Sequence, residues 1–184
     1  MTAPRLPLRV RAAVVVVAVL GVLAVVGGTA VIRTGADALE VGGGFTVSGP
    51  WYAGPRWAGV ELENRSSVPI TLRAVEVRTA SNVRVLGTRV LGPTGAHILM
   101  NDTSDPDVGA AVDAGQPVDG FVLPPHSRSK YQVAVEFEPR SPGQAVISGT
   151  AVVYSVFGLD HGAVSGGVYC VRGPGKESCA PFAS

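Results

Sequence analysis

Two cysteines, three histidines, one acidic loop and one aromatic cluster are the groups in this 184-residue chain whose types and spacing could do chemistry. Cys170 and Cys179 flank Gly173-Pro174-Gly175 near the C-terminal end. In an oxidising compartment that spacing predicts one disulfide, closing a ring of about ten residues and stabilising the fold by roughly 2.5–3 kcal/mol if unstrained. A metal or redox pair fits poorly, because the spacing is not C-x-x-C and no histidine follows Cys170. His97, His126 and His161 show no i, i+2 or i, i+4 pairing. With Met100 or nearby acids they would form a copper or zinc site only if the fold gathered them, so loop positions are expected, His126 in an exposed turn after two prolines. Asn101-Asp102-Thr103-Ser104-Asp105-Pro106-Asp107 concentrates oxygen ligands of the kind calcium takes. The EF-hand order and its closing Glu are missing and Pro106 stiffens the centre, which favours a solvated loop.

Nucleophiles are equally unsupported. Ser148, Ser155 and Ser165 fall in apparent strands without a Gly-x-Ser-x-Gly elbow. Glu136 and Glu138 share a strand face, which alternation explains as a face turned to water. Trp51, Tyr52 and Trp57, with Gly54-Pro55 between them, form the best candidate partner surface, since aromatics on a Gly/Pro loop at a sandwich end make a binding platform. The same three would also serve to plug the end of the core or to rest on lipid headgroups. The sequence therefore assigns no catalytic residue, no cofactor and no metal ligand.

The elements that must position these groups divide into a greasy start and a β-rich remainder. Ala12 to Ile32 is a 21-residue run without charge and with a single hydroxyl, Thr29. At 1.5 Å of rise per residue it measures roughly 31 Å, matching the ~30 Å hydrocarbon core of a bilayer. Arg5, Arg9 and Arg11 precede it without an acid, which predicts a cytoplasmic N-terminus and an extracytoplasmic remainder. The alternative is a cleaved signal peptide, with Gly28-Thr29-Ala30 or Ala36-Asp37-Ala38 as the processing site. Either way the same domain reaches the same compartment. The uncharged stretch from Ser141 to Leu159 is too rich in Gly, Ser, Thr and β-branched residues for a second span and reads as strand. Net charge is +1 for the chain and about −2 without the three leading arginines, far from the basic footprint of a nucleic-acid binder.

The organisation expected is a cytoplasmic tail (1–11), a transmembrane signal anchor (12–32), a flexible stalk (33–44) ending in three glycines, a β-sandwich (45–171) and a C-terminal tail (172–184) pinned by the disulfide. Strands are expected at Ala58 to Glu63, at Ile70 to Thr79 with a phase slip near Ala74, and at Val83 to Leu91 with a slip around Leu86. A brief apolar run lies at Ile98 to Met100, and further strands are expected at Asp119 to Leu123, Tyr131 to Glu138, Ala145 to Phe157 and Ala163 to Val171. Tyr131 to Glu138 alternates and should turn one face to water, whereas Ala145 to Phe157 is apolar on both phases and should lie mid-sheet. Asn101 to Pro117 reads as a long loop, and no helix is expected outside the membrane.

Leu62-Glu63-Asn64-Arg65-Ser66-Ser67-Val68-Pro69-Ile70-Thr71-Leu72, and the Leu-Pro-Pro-His turn leading from Leu123 into the strand ending at Phe137, resemble the immunoglobulin-like modules of exported bacterial proteins. The matched text covers about a fifth of the chain, and the antibody-type Cys and Trp pattern is absent. The alternating runs and turn clusters from Phe45 onward predict an all-β antiparallel sandwich of seven to nine strands, and the resemblance implies that its architecture is immunoglobulin-like. The function expected is a non-catalytic envelope binding or accessory module at the cell membrane, with membrane lipid and an envelope protein or wall polymer as partners and no nucleic acid. The rival expectations are an envelope metal-binding protein or hydrolase, and a small subunit of a membrane assembly in which Gly21, Ala24, Gly27 and Gly28 admit a neighbouring helix.

Overall fold

The computed structural model describes residues 35–43, 46–51, 53–93, 98–102, 106–128, 131–176 and 178–179, with the backbone alone at 101–102. The tail and apolar segment expected at 1–32 lie outside the described residues. Among those described, no helix is long and apolar enough to cross a membrane. The elements are β1 (Leu39–Val41), β2 (Thr46–Gly49), β3 (Arg56–Asn64), β4 (Ile70–Ser81), β5 (Val83–Leu91), β6 (Met100–Asp102), α1 (Pro106–Asp113), β7 (Val122–Leu123), β8 (Tyr131–Pro139), β9 (Ala145–Val156), β10 (Leu159–Val164) and β11 (Val168–Val171).

They form two sheets. One has the order β1-β3-β8-β5 with β6 also on β3, and the other β2-β11-β9-β4-β7 with β10 also on β9. Leu62, Val133, Val135 and Phe137 of the first and Leu72, Ile147, Val152, Tyr154 and Tyr169 of the second share one buried core. The order β1-β3-β8-β5 against β4-β9-β11 is that of strands A-B-E-D against C-F-G in an immunoglobulin-like sandwich. The leading strand is split between the sheets, β1 pairing with β3 and β2 running parallel to β11.

Both phase slips are real bulges. Register shifts between Leu72 and Ala74 on β4 and between Val85 and Gly87 on β5. A third change of phase occurs in β9, where Ala145 and Ile147 but then Val152, Tyr154 and Val156 face the same core. It falls at Gly149, whose φ of +65° glycine alone adopts without penalty.

Four expectations are corrected. The stretch at 33–44 is no stalk over its described part, since Ala38 and Leu39 are buried and β1 pairs with β3. The glycines there serve close approach: a Cβ at Gly43 would lie 2.5 Å from the Gly166 amide nitrogen, and the Ser165 hydroxyl donates to the Gly42 carbonyl. Ala36-Asp37-Ala38 is thus folded structure, with the Ala36 and Ala38 carbonyls taken by the Tyr154 hydroxyl and the Arg65 amide. The strand expected from Ala163 to Val171 is two, β10 and β11, which pair with successive parts of β9 on either side of Gly149.

The loop expected over Asn101 to Pro117 contains a helix, α1. Its signals are Pro106 at the first position, Asp107 in the first turn, and Val108 and Val112 four residues apart, both buried. Fourthly, the outer face of β8 is not all wet: Gln132 and Ala134 are buried beneath Ile98 and α1, in a satellite core with Trp57, Leu91, Val108 and Val112. Eleven strands are described against the seven to nine expected, the excess being edge pieces of two to four residues.

Two tyrosines fasten the layers. Tyr169 of β11 donates across the core to the Gly59 carbonyl of β3, on the stretch of edge that neither β6 nor β1 covers. The Tyr154 hydroxyl lies 2.9 Å from the carbonyls of both Gly35 and Ala36. Burial raises the pKa of both phenols above the usual 10, with the Glu61 charge adding to the effect at Tyr169 and that of Asp37 at Tyr154. A raised phenol contributes stability that is present below pH ~10 and lost as the unfolded chain ionises above it. Arg56 opposes this, because burial lowers its pKa to about 10 and relieves a penalty as pH rises from there. Tyr169→Phe is therefore expected to lose less stability than the parent between pH ~9 and ~11, measured by denaturant unfolding at each pH.

Candidate binding groove at the disulfide end

The sandwich has two unlike ends. One carries the turn after Asn64, the Pro124-Pro125-His126 turn, the β9–β10 hairpin and the entry of the chain at Gly35. The other carries Pro50-Trp51, the β4–β5 and β8–β9 turns and the disulfide ring.

At the second end the predicted cystine is present, with Cys170 and Cys179 Cα atoms 6.5 Å apart. Cys170 is buried on β11, so the ring pins the segment after it against the sandwich. The Arg172 amide donates to the Gly49 carbonyl (2.9 Å), which sets that segment beside Pro50-Trp51. The Lys176 amide then donates to the Gly173 carbonyl (3.1 Å), folding 173–176 into a turn that needs φ +69° at Gly175. Next to it Asn82 holds the two neighbouring turns together. Its Nδ2 donates to the Ser141 and Gln144 carbonyls (3.0 and 3.3 Å) and its Oδ1 accepts from the Ser141 hydroxyl (2.9 Å).

The turn at 173–176 is the shared wall of two depressions. One, of about 310 Å³, is lined by Pro50, Trp51, Arg172 and the turn, and the other, of about 430 Å³, by Gly143, Gln144, Ser178 and the turn. Trp51 packs one side of its ring on the core, while its indole N–H has no hydrogen-bond partner. Beside the Trp51 ring the groove is lined by two cationic side chains, Arg172 and Lys176. Such a lining suits a ligand rich in acceptors or negative charge, laid against an aromatic face. Because the ring forms this wall, reducing the disulfide is expected to lower stability by about 2.5–3 kcal/mol, read as a shift of the urea midpoint.

The aromatic cluster is divided. Trp51 lines the groove, Tyr52 lies outside the described residues, and Trp57 is only 6% exposed, in the satellite core under α1. Trp57 is therefore no partner surface: β3 carries it on its outer face, and Ile98, with α1, roofs it. Nothing in the local sequence announces that roof. Arg172 and Lys176 were missed because they are ordinary isolated cations in sequence, and only the ring closure brings them to Trp51.

The histidines are not brought together. His97 lies outside the described residues. His126 occupies a turn with φ +52° and donates its amide to the Ser66 carbonyl. His161 is no loop residue: it stands on β10 with its ring 5.6 Å from that of Tyr154. Among the described residues no three His, Cys, Asp or Glu are placed to hold a metal ion. The acidic segment is split, Asn101 and Asp102 being on β6, Asp107 on α1 and 103–105 outside the described residues. Ser165 is committed to Gly42 and Gly167, and Glu138 is ion-paired with Arg84 (2.6 Å).

No protein-family model and no curated protein sequence matches the chain. Among solved structures it is similar to the ASH/PapD-like domain 7 of human CEP192, at 12% identity and TM-score 0.39 over 77% of this chain and 89% of that one. It is also similar to the GAE domain of GGA2p from Saccharomyces cerevisiae, at 11% identity and TM-score 0.34 over 73% of this chain and 87% of that one. The VesB protease of Vibrio cholerae aligns at 11% identity and TM-score 0.38 over 74% of this chain but 32% of the protease. These likenesses concern architecture alone, and the strand order described above stands without them.

Proposed function

We propose that the chain is a non-catalytic binding module of the cell envelope. Residues 12–32 hold it as a single membrane-spanning helix, with the N-terminus in the cytoplasm and the sandwich outside. The apolar length and the leading arginines support the span and its direction, and a cystine at Cys170–Cys179 suits an oxidising exterior. The observation that carries the binding role is the groove at the disulfide end, which Trp51, Arg172 and Lys176 line together. Its occupant is an extended, acceptor-rich segment of an envelope protein or wall polymer, held by charge-assisted hydrogen bonds over an aromatic ring.

The test compares the full chain in detergent with a variant carrying Trp51→Phe and Lys176→Glu. Trp51→Phe keeps an aromatic and shortens the ring face lining the groove, whereas Lys176→Glu reverses an exposed charge. Binding to immobilised wall polymer or to solubilised envelope proteins is expected to weaken about 10–100-fold, roughly 1.4–2.7 kcal/mol for the two changes together. Equal binding by both chains, or no binding by the parent to either fraction, contradicts the reading.

A further inference from the structure

The tip of the β9–β10 hairpin breaks two local rules at once. Its two-residue loop is Phe157-Gly158, with φ of +52° and +79°, the type I′ geometry that favours Asn-Gly. A phenylalanine in the left-handed region is disfavoured by the clash of its Cβ with the following carbonyl. This one gains no burial in return, since 63% of it is exposed. Leu159, next along, is 45% exposed, and Val122 on β7 at the same end is 53% exposed. Three of the seven most exposed large apolar side chains among the described residues thus crowd one end of the sandwich. Misplaced conformation and misplaced polarity together mark a position kept for contact with something outside the domain.

The path of the chain says what that is. Gly35 enters the domain at this same end: its carbonyl accepts from Tyr154, three residues before Phe157, and it packs against His161, two residues after Leu159. Only Arg33 and Thr34 separate Gly35 from Ile32, the last residue of the apolar run. Fully extended, that link spans at most about 11 Å. The headgroup layer on each side of a bilayer is itself about 5–8 Å thick. If residues 12–32 span the bilayer as proposed above, so short a link leaves the entry end of the sandwich little room to stand off from the lipid.

We propose that the Phe157–Leu159 hairpin tip is a second membrane contact, inserted at the boundary of headgroups and acyl chains, which sets the domain end-on with its disulfide-end groove directed away from the bilayer. The proposal rests on residues 12–32 being the membrane anchor. Phe157 supplies the apolar bulk, and the hairpin, paired to the central strand β9 over six residues, supplies the rigidity.

The experiment reconstitutes the full chain into phosphatidylcholine–phosphatidylglycerol vesicles, with or without bromine on the upper acyl chain. Three single variants are read as difference emission against the parent: Phe157→Trp, Leu159→Trp and, at the opposite end, Lys176→Trp. The expected result is that the indoles at 157 and 159 emit to the blue and lose most of their intensity in brominated vesicles, while that at 176 loses none. Quenching at 176 equal to that at 157 and 159 would overturn the end-on placement. Unquenched tips in a chain that resists alkaline carbonate extraction would overturn the tip contact and leave the anchor standing. Release of the parent by carbonate would overturn the anchor, and the proposal with it.

Discussion

Replacing Gly59 with alanine is expected to destabilise the domain by at least about 3 kcal/mol, a fall in Tm of roughly 6–12 °C for a domain of this size. The added Cβ would sit 1.9 Å from the Ile98 carbonyl oxygen, inside any possible contact. That oxygen belongs to backbone held fast, because the Gln132 side-chain amide grips the Ile98 peptide from both sides, Oε1 accepting from its N–H (2.9 Å) and Nε2 donating to its carbonyl (3.4 Å). Moving the segment would also break the bond from the Gly59 amide to the Leu99 carbonyl (3.1 Å) and disturb the carbonyl that Tyr169 caps. The satellite core would open, so Trp57 emission is expected to shift to the red along with the lower Tm. Gly162→Ala is the control. It has φ in the ordinary range and nothing within 4 Å of the new methyl, so it is expected to be neutral or stabilising by up to ~1 kcal/mol. Two glycine-to-alanine changes in one sandwich should thus differ by several kcal/mol in scanning calorimetry, and equal Tm values would refute the packing described for β3.

Asn64→Ala is the second large effect, expected at about 3–5 kcal/mol. The side chain is fully buried at the end of β3. Its Nδ2 lies within hydrogen-bond distance of the Val68, Leu123 and Pro124 carbonyls (2.9, 3.1 and 3.0 Å), and its Oδ1 accepts from the Ser66 amide and hydroxyl (2.9 and 2.7 Å). Its own amide donates to the Ser127 hydroxyl (3.1 Å). Alanine leaves the Leu123 and Pro124 carbonyls and the Ser66 amide short of a partner in a dry site, while the Ser66 hydroxyl keeps the Val68 carbonyl (2.8 Å), and such orphaning is dearer than losing the bonds alone. Asn64→Asp separates this hub from mere loss of volume. An ionised carboxylate would face three carbonyl oxygens, so at neutral pH the aspartate variant is expected to be no more stable than the alanine variant. It should regain stability relative to alanine as pH falls from neutral toward ~4, because the protonated acid is a donor to those carbonyls, and the regain should be complete below ~4, where the unfolded chain is protonated too. A flat difference between the two variants across that range would show that Asn64 does not donate to those carbonyls.

These two residues also show what sequence pattern conveys and what it withholds. Alternation reports the phase of a strand and the places where phase slips, which is why the bulges at Leu72–Ala74 and at Leu86 were legible, as was the two-sided burial of β9. The disulfide followed from two cysteines nine residues apart in a chain expected to be exported. Pattern does not report which distant segment lies on a given face. Gly59 reads as a weak spot in a strand until Ile98 crosses it, and Asn64 reads as a turn residue until Leu123, Pro124 and Ser127 come to it from some 60 positions away. Trp57 reads as surface for the same reason, because its cover, α1, lies in a stretch whose composition is that of a loop. The stretch at 33–44 reads as loose because of its glycines, yet Gly43 marks close approach to Gly166 and Ser165. The groove belongs to this class too, since its cations gather only once the ring closes on Trp51.

The orientation of the whole chain governs the cystine, the groove and the hairpin contact alike. It is tested most directly by fusing, after Ser184, a phosphatase that is active only once exported and, in a parallel strain, an enzyme active only in the cytosol. The account predicts phosphatase activity that sediments with membranes after carbonate washing, together with an inactive cytosolic reporter. An active cytosolic reporter and silent phosphatase would contradict it.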